Sequence, residues 1–472
     1  MIIDSTNPFD GAIIQSYKTH TADEVTGIVA AVNTAWTDWR NVPIAKKAEL
    51  LNNTARILRE RKSDLAMLMA LEMGKPLKGG IAEIEKCAEC CEFYAGTAAD
   101  LLKPELINTD ASKSYITFEP IGVVLAIMPW NFPFWQVIRF LAPTLIAGNC
   151  GILKHASNVF GCAMEIENII KAAGFPENVF RTLLIPGSEV NAVIENEFIM
   201  AVTLTGSTAA GKKVAEKAGS LIKKTVLELG GSDAYVILHD ADLELAAETC
   251  VNSRVINSGQ SCIAAKRFIV VEEVVEKFTE LFLKNMASKV MGDPIDEKTD
   301  IGPQARMDLR DQLHEQVKKS LDMNATCLLG GFIPEGNNAF YPPTVLTNVA
   351  KGMPAYDEEL FGPVAAIISA KDEQHAIHIA NDSVFGLGAA IFSKDMKRAE
   401  TIAATQLQAG SCFVNALVKS DSRLPFGGIK QSGYGRELSH YGIKEFVNIK
   451  TVYINDVIDI NGKALGESDR KA

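Results

Sequence analysis

The chain has 472 residues, more than one ordinary core organises, so two or three folded units are expected and a single small module is excluded. Hydrophobic residues make up 47% and charged residues 22%, which excludes a largely disordered chain, and a net charge of −11 argues against nucleic acid or an acidic membrane as partner. No run approaches the ~18 apolar residues of a membrane span, and the opening MIIDSTNPFDG has no basic stretch before an apolar one, so a cytoplasmic protein without a secretory signal is expected.

In chain order, residues 22–92 carry apolar positions at helical spacing, as in Ala48, Leu51, Ala55 and Leu58, and predict an α-rich opening. Within it Cys87, Cys90 and Cys91 form a CxxCC cluster. One amphipathic helix is predicted over 82–94, no second CxxC follows and no His is near, so core packing outweighs zinc or redox chemistry. The nine cysteines, an odd number, read as free thiols, with Cys150, Cys162, Cys250, Cys327 and Cys412 expected to be buried.

From there short apolar runs at 122–128, 149–153, 201–204 and 234–238 alternate with helical stretches, the rhythm of βαβ units around a parallel sheet. A second round at 267–271, 365–369, 388–392 and 411–415 predicts a second α/β domain. Residues 114–119 and 446–454 are β-prone and lie apart in sequence; both are expected as edge strands able to pair with another subunit. A polar tail is expected to close the chain.

Several turns carry candidate chemistry. The aromatic turn at 129–135 holds Asn131 as its lone amide, which either donates to an oxyanion or satisfies its own turn. The loop GSTAAGKK at 206–213 follows a strand and opens a helix, so its N–H groups suit a phosphate. Lys213 stands where a magnesium-binding Ser or Thr is needed, which disfavours an ATPase or phosphotransferase. The loop is not GxGxxG either, so a plain strand-to-helix turn fits it equally well. Glu228 ends an apolar run before two glycines, where it serves as a base toward water or as a solvated turn residue. Cys262 lies in the small polar run NSGQSC before a strand, a loop setting that suits a nucleophile but also a structural thiol.

Taken together, these pieces resemble the aldehyde dehydrogenase superfamily from about Asn7 to Ile454. Six motifs occur in its order: PWNFP at 129–133, LTGST at 204–208, LELGG at 227–231, GQSC at 259–262, ELFGPV at 359–364 and PFGGIKQSGYGRE at 425–437. The resemblance implies an α/β fold of two parallel-sheet domains. A Rossmann-type cofactor domain would take 1–111 and 121–229, a catalytic domain 230–432, and a small β oligomerisation segment 112–120 with 440–455, followed by a tail over 456–472. A homodimer or homotetramer is implied.

By this resemblance Cys262 attacks an aldehyde, the Asn131 amide and the Cys262 N–H hold the oxyanion, and Glu228 activates the water that releases the acid. Glu437 matches a second carboxylate that relays protons. Trp130, Lys154, Ser157, Gly206, Ser207, Glu359 and Phe361 fall at cofactor positions, with no metal implied. NAD-preferring members often carry a Glu three residues after the Lys154 position; the small Ser157 here leaves room for a 2′-phosphate, so NADP is expected to be preferred to NAD.

Within the superfamily the chain is most similar to bacterial succinate-semialdehyde dehydrogenases. Gln136 and Arg139 are three apart and share a helix face that lines the family's substrate tunnel. A guanidinium in that apolar helix needs a partner: a distal substrate carboxylate, or an ion pair within the chain. Ser420 matches a position that binds the same carboxylate. The second Arg found in many such enzymes, six residues before the nucleophile, is replaced by Ile256, with Arg254 two residues further away. Glutarate semialdehyde or another aliphatic aldehyde is the alternative substrate. Ala264 replaces the second cysteine of a redox disulfide, so no such switch is expected.

Overall fold

The computed structural model describes residues 1–336 and 338–456 and arranges them around four β-sheets. One has six strands in the spatial order Gly433–Tyr434, Lys224–Glu228, Ile199–Thr205, Val123–Met128, Cys150–His155 and Phe180–Thr182. All neighbours run parallel except Gly433–Tyr434, which returns antiparallel beside Lys224–Glu228. Residues 123–126 are fully buried, as a continuous apolar run covered on both faces should be. The strand order reverses at Val123–Met128, because the next two strands in sequence lie on one side and the later ones on the other. Such a reversal opens a crevice beyond the carboxyl ends of the strands. The turns carrying Asn131 and Ser207 both leave the sheet at that end.

The second sheet has seven strands, in the order Thr326–Leu329, Thr344–Thr347, Val364–Ala370, Arg267–Val271, Ala234–Ile237, Gly388–Phe392 and Ser411–Val414. Only the first pair is antiparallel. Alternate residues feed separate apolar clusters: Ala234 and Val236 belong to one, Tyr235 and Ile237 to the other. The period-2 geometry of a strand thus buries this sheet on both faces. The chain leaves the first sheet after Glu228, builds the second, and comes back to the first at Gly433.

A three-stranded antiparallel sheet joins Val447–Ile454, Lys113–Pro120 and Glu105–Leu106. The two segments expected to seek another subunit therefore pair with each other, Val447 opposite Pro120 through Ile454 opposite Lys113. Val447–Ile454 still keeps one open edge, with Ile449 and Tyr453 exposed.

Cys87, Cys90 and Cys91 lie buried in the helix Leu77–Leu101, and no metal-ligating group of side chains occurs among the described residues. Cys327 and Cys412, expected to be buried, are partly exposed, because their strands Thr326–Leu329 and Ser411–Val414 form the two edges of the seven-stranded sheet. No helix of the described residues is long and apolar enough to cross a membrane. The expected tail lies outside the described residues beyond Asp456.

Candidate active site

The run around Cys262 is held in an unusual backbone shape. Asn257, Ser258 and Gly259 have φ of 52°, 57° and 77°, three successive left-handed residues. Each non-glycine residue there costs about 1–3 kcal/mol, so the surroundings must impose the turn. They do so through buried polar contacts. Arg254, fully buried, donates to the carbonyls of Gly259 (2.7 Å), Val364 (3.3 Å) and Leu360 (3.4 Å). Gln260 Oε1 accepts from Ala305 N–H, and Ser258 Oγ accepts from Gly302 N–H. Gly259 must be glycine, since a Cβ would collide with the Gly362 backbone. Arg254 is thus a fully buried strut of this turn.

Cys262 is partly exposed on this turn. Burial pushes its thiol up to about 12, opposed first by Lys266 and then by Arg139. The Lys266 ammonium, fully buried, donates to the carbonyls of Ser261 (2.8 Å) and Cys262 (2.6 Å) and lies 3.4 Å from Glu359 Oε1. Glu359 Oε1 also accepts from Gly231 N–H at 3.0 Å. Sequence reading missed Lys266, although a lysine between Ala265 and the apolar strand Arg267–Val271 signals a buried cation in need of acceptors.

Asn131 is buried across from the nucleophile turn. Its Nδ2 donates to Gln260 O at 3.0 Å, and its Oδ1 accepts from Gln136 Nε2 at 2.9 Å. An amide nitrogen carries two hydrogens, so one remains to donate. Asn257 Nδ2 bridges the Asn131 and Gln260 carbonyls, tying the two turns together. Gln136, expected with Arg139 on the tunnel-lining face of its helix, is buried and turned toward Asn131.

Glu228, at the end of Lys224–Glu228, is buried with neither carboxylate oxygen hydrogen-bonded. Its Oε1 lies only 2.8 Å from where a Cβ on Gly427 would stand, which requires glycine there. Burial first, and then the charge of Glu437, hold its pKa well above the carboxylate range, against the pull of Arg139 and Arg436. Glu437 is likewise raised by burial and opposed by Arg139. Arg139 Nε sits 2.5 Å from Glu437 Oε2, and its Nη2 donates to Thr205 Oγ1 at 3.1 Å. The guanidinium that sequence reading left for a substrate carboxylate or an internal ion pair therefore has a partner within the chain.

Two further regions adjoin this centre. A cavity of about 660 Å³ beyond the six-stranded sheet is walled by Ile127, Lys154, Leu204, Ala210 and Lys213. Lys154 is buried there without an ion pair among the described residues. Ser157 begins the short helix Ser157–Val159, while Ser207 Oγ caps Thr208–Ser220 by accepting from Ala210 N–H. Gly206 N–H is taken by the Glu228 carbonyl at 2.9 Å. Trp130 and Phe361 meet edge to face, with ring centroids 5.8 Å apart. On the other side a cavity of about 390 Å³ is lined by Phe132, Trp135, Ile256, Asn257 and Lys86, and Lys86 Nζ donates to Ser420 Oγ at 2.7 Å.

The site thus offers a thiol on a strained turn, an amide donor bonded to that turn and a buried high-pKa carboxylate. The family model described as the aldehyde dehydrogenase family matches residues 1–452. The chain is 46% identical to an Escherichia coli succinate semialdehyde dehydrogenase using NAD or NADP, over 95% of this chain and 97% of that protein. It is 44% identical to an NADP-dependent succinate-semialdehyde dehydrogenase of Mycobacterium tuberculosis, over 96% and 100%. Its fold is similar to the crystal structure of the Streptococcus pyogenes succinic semialdehyde dehydrogenase in complex with NADP, with a TM-score of 0.94 and 35% identity, covering 96% of this chain and 100% of that one.

Proposed function

The chain belongs to the aldehyde dehydrogenase family, and from that premise we propose that it oxidises succinate semialdehyde to succinate, with NADP in preference to NAD. The observation that carries the substrate is full-length likeness, at 44–46% identity, to enzymes named for that aldehyde. The cofactor rests on Lys154, a buried cation without an ion pair that walls the larger cavity, with the small Ser157 three residues on.

Lys154 and Ser157 would hold the adenosine ribose and its 2′-phosphate, and Gly206 and Ser207 the pyrophosphate. Glu359 would hold the nicotinamide ribose, with Trp130 and Phe361 against the ring. Bound there, NADP supplies the acceptor for the hydride that leaves the aldehyde carbon.

The chain's own residues account for the rest. The Cys262 thiol releases its proton to water as the sulfur bonds to the carbonyl carbon, and the displaced electron pair moves to oxygen. The free Nδ2 hydrogen of Asn131 and the Cys262 N–H receive that oxyanion. A soft sulfur nucleophile makes the carbon a good hydride donor, and loss of hydride leaves a thioester on Cys262. Glu228 then takes a proton from water, whose oxygen attacks the thioester carbon and expels the sulfur as thiolate. Glu437, beside Glu228, passes that proton outward. Lys266 fixes both the nucleophile turn and Glu359.

In this reading residues 1–111 and 121–229 form the cofactor-binding unit and 230–432 the catalytic unit. Residues 112–120 and 440–455 form the sheet that meets another copy in a homodimer or homotetramer, acting in the cytoplasm. A spectrophotometric panel of succinate semialdehyde, glutarate semialdehyde and uncharged aldehydes against NADP and NAD tests the assignment. The highest kcat/KM is expected for succinate semialdehyde with NADP; a better uncharged aldehyde would overturn the substrate.

A further inference from the structure

We propose that Glu83, neutralised by Lys75, is a positioning residue that sets the Asn131 amide in place for the oxyanion. This rests on the reading of Asn131 as the oxyanion donor. The helix Trp135–Ile146, which follows the Asn131 turn, has no side-chain cap of its own at Phe134. The first N–H groups of a helix have no partner within it, and where they are buried they need an acceptor from elsewhere. Glu83, on the helix Leu77–Leu101, supplies one: its Oε1 accepts from Phe134 N–H and from Trp135 N–H, each at 2.9 Å.

A carboxylate at that point also meets the positive end of the helix. Its second oxygen bonds the Lys75 ammonium, and each side chain of the pair is only 1% exposed. Lys75 also lies over the Phe132 ring at 3.9 Å. A carboxylate buried without a cation is strongly unfavourable, so Lys75 makes the cap tolerable and at the same time packs on the residue next to Asn131.

Two links carry this hold to the amide. Gln136, the residue after the capped pair, donates to Asn131 Oδ1 at 2.9 Å, which directs Nδ2 toward the nucleophile turn, where it donates to Gln260 O at 3.0 Å. Displacing the start of the helix therefore displaces the group that orients the amide. The second link is the corner Gly74–Lys75–Pro76, which packs on the segment gripping the nucleophile turn. A Cβ on Gly74 would stand 2.7 Å from Pro303 Cγ, and one on Gly302 would collide with the Gly74 carbonyl. Gly302 N–H donates to Ser258 Oγ and Ala305 N–H to Gln260 Oε1. One corner of the chain thus holds the Asn131 turn through Glu83 and abuts the support of the Cys262 turn, which sets the spacing between them.

The test compares two double variants that leave no lone buried charge. Lys75→Met/Glu83→Leu removes the acceptor, whereas the amide oxygen of Lys75→Met/Glu83→Gln can still accept from both N–H groups. The NADPH burst at saturating succinate semialdehyde is measured per Cys262 titrated with iodoacetamide, beside the rate of alkylation itself, which needs the thiol but forms no oxyanion. The Glu83→Leu variant should form NADPH about 100-fold more slowly, the cost of a misplacement of about 1 Å, yet alkylate at the wild-type rate, and the Glu83→Gln variant should restore the burst. Asn131→Ala should slow the burst in the wild-type background and add nothing in the Glu83→Leu background. An unchanged burst in the Glu83→Leu variant, equal losses of burst and alkylation, or effects of the two changes that multiply would overturn the positioning role while the reading of Asn131 stands. So would a slow burst in the Glu83→Gln variant, which decides the matter should the Glu83→Leu variant not fold. Should Asn131→Ala leave the wild-type burst unchanged, the oxyanion reading itself falls.

Discussion

Glu437 Oε2 lies 2.5 Å from Arg139 Nε with both side chains nearly sealed from solvent, and Glu228 stands beside them as a second buried carboxylate with neither oxygen bonded. Both carboxylates are buried around the shared Arg139, with Arg436 also acting on Glu228, and burial favours the neutral form of each. Glu228 is raised by burial and then by Glu437, so it can take a proton from water only above that elevated pKa. The two partners act on it with opposite signs. Glu437→Gln removes the negative charge and should move the acid limb of the kcat profile to lower pH. Arg139→Gln removes the positive charge and should move it to higher pH, each by about 1 unit or more. Profiles of kcat against pH for the two variants check this, and shifts in the same direction would contradict it. Arg139→Gln should also lower stability by about 3–5 kcal/mol, the scale for breaking a buried pair.

Replacing Glu228 itself separates its chemistry from its burial. Glu228→Gln should still form NADPH in a burst of one equivalent per active site and then stall at the thioester, with kcat down about 10²–10⁴-fold. The same variant should be the more stable protein. A carboxyl whose folded pKa is raised costs nothing below its unfolded pKa of about 4.3 and progressively more as pH rises above it. The Tm advantage of Glu228→Gln should accordingly vanish near pH 4 and grow toward pH 8. Calorimetry across that range reads it, and a pH-independent difference would mean that the carboxylate is not the source.

Local patterning made the central strands of both parallel sheets legible in the sequence, because most are apolar runs followed by a turn and a helix. The run at 234–238, read with the first round, pairs in the second sheet, and the short strands Phe180–Thr182, Thr326–Leu329 and Thr344–Thr347 were not predicted. The pairing of Lys113–Pro120 with Val447–Ile454 was not legible either, since no local signal specifies a partner more than 300 residues away. The same holds at the site. Cys262, Glu228 and Asn131 announced themselves as polar residues on turns next to strands. What those turns rest on, Lys266 and Arg254, looked like ordinary basic residues at strand and helix ends. Arg139 and Gln136 were placed correctly on one helix, but periodicity says which residues share a face and not what that face meets. Their partners, Glu437 and Asn131, come from other turns.

Cofactor choice is open to a single change. Ser157→Glu would set a carboxylate three residues from Lys154, where it competes for the ammonium and repels a 2′-phosphate. The kcat/KM with NADP should fall about 100-fold, the magnitude of one lost charged contact, with NAD affected far less. Initial rates with both nucleotides measure the ratio. A wild-type enzyme that already favours NAD, or a ratio unmoved by the change, would rule out this role for Ser157.

Lys266 carries the last prediction. Its ammonium is shared by the Ser261 and Cys262 carbonyls and lies near Glu359, so one buried cation holds the nucleophile turn and the carboxylate facing it. Lys266→Met keeps the length and apolar stem but leaves the Cys262 carbonyl without a donor, at about 1–3 kcal/mol for a buried group, while the Ser261 carbonyl keeps Ala264 N–H and Glu359 keeps Gly231 N–H. Because Lys266 is the largest influence opposing the rise of the Cys262 thiol to about 12, its loss should raise that pKa further. Alkylation of Cys262 by iodoacetamide should then slow at every pH below the thiol's pKa and need a higher pH to reach half its limiting rate. KM for NADP should rise in the same variant, since Glu359 loses its nearest cation. A merely destabilised protein would behave differently: the fraction of active sites would fall, while the pH dependence of alkylation in the remainder would stay where it was.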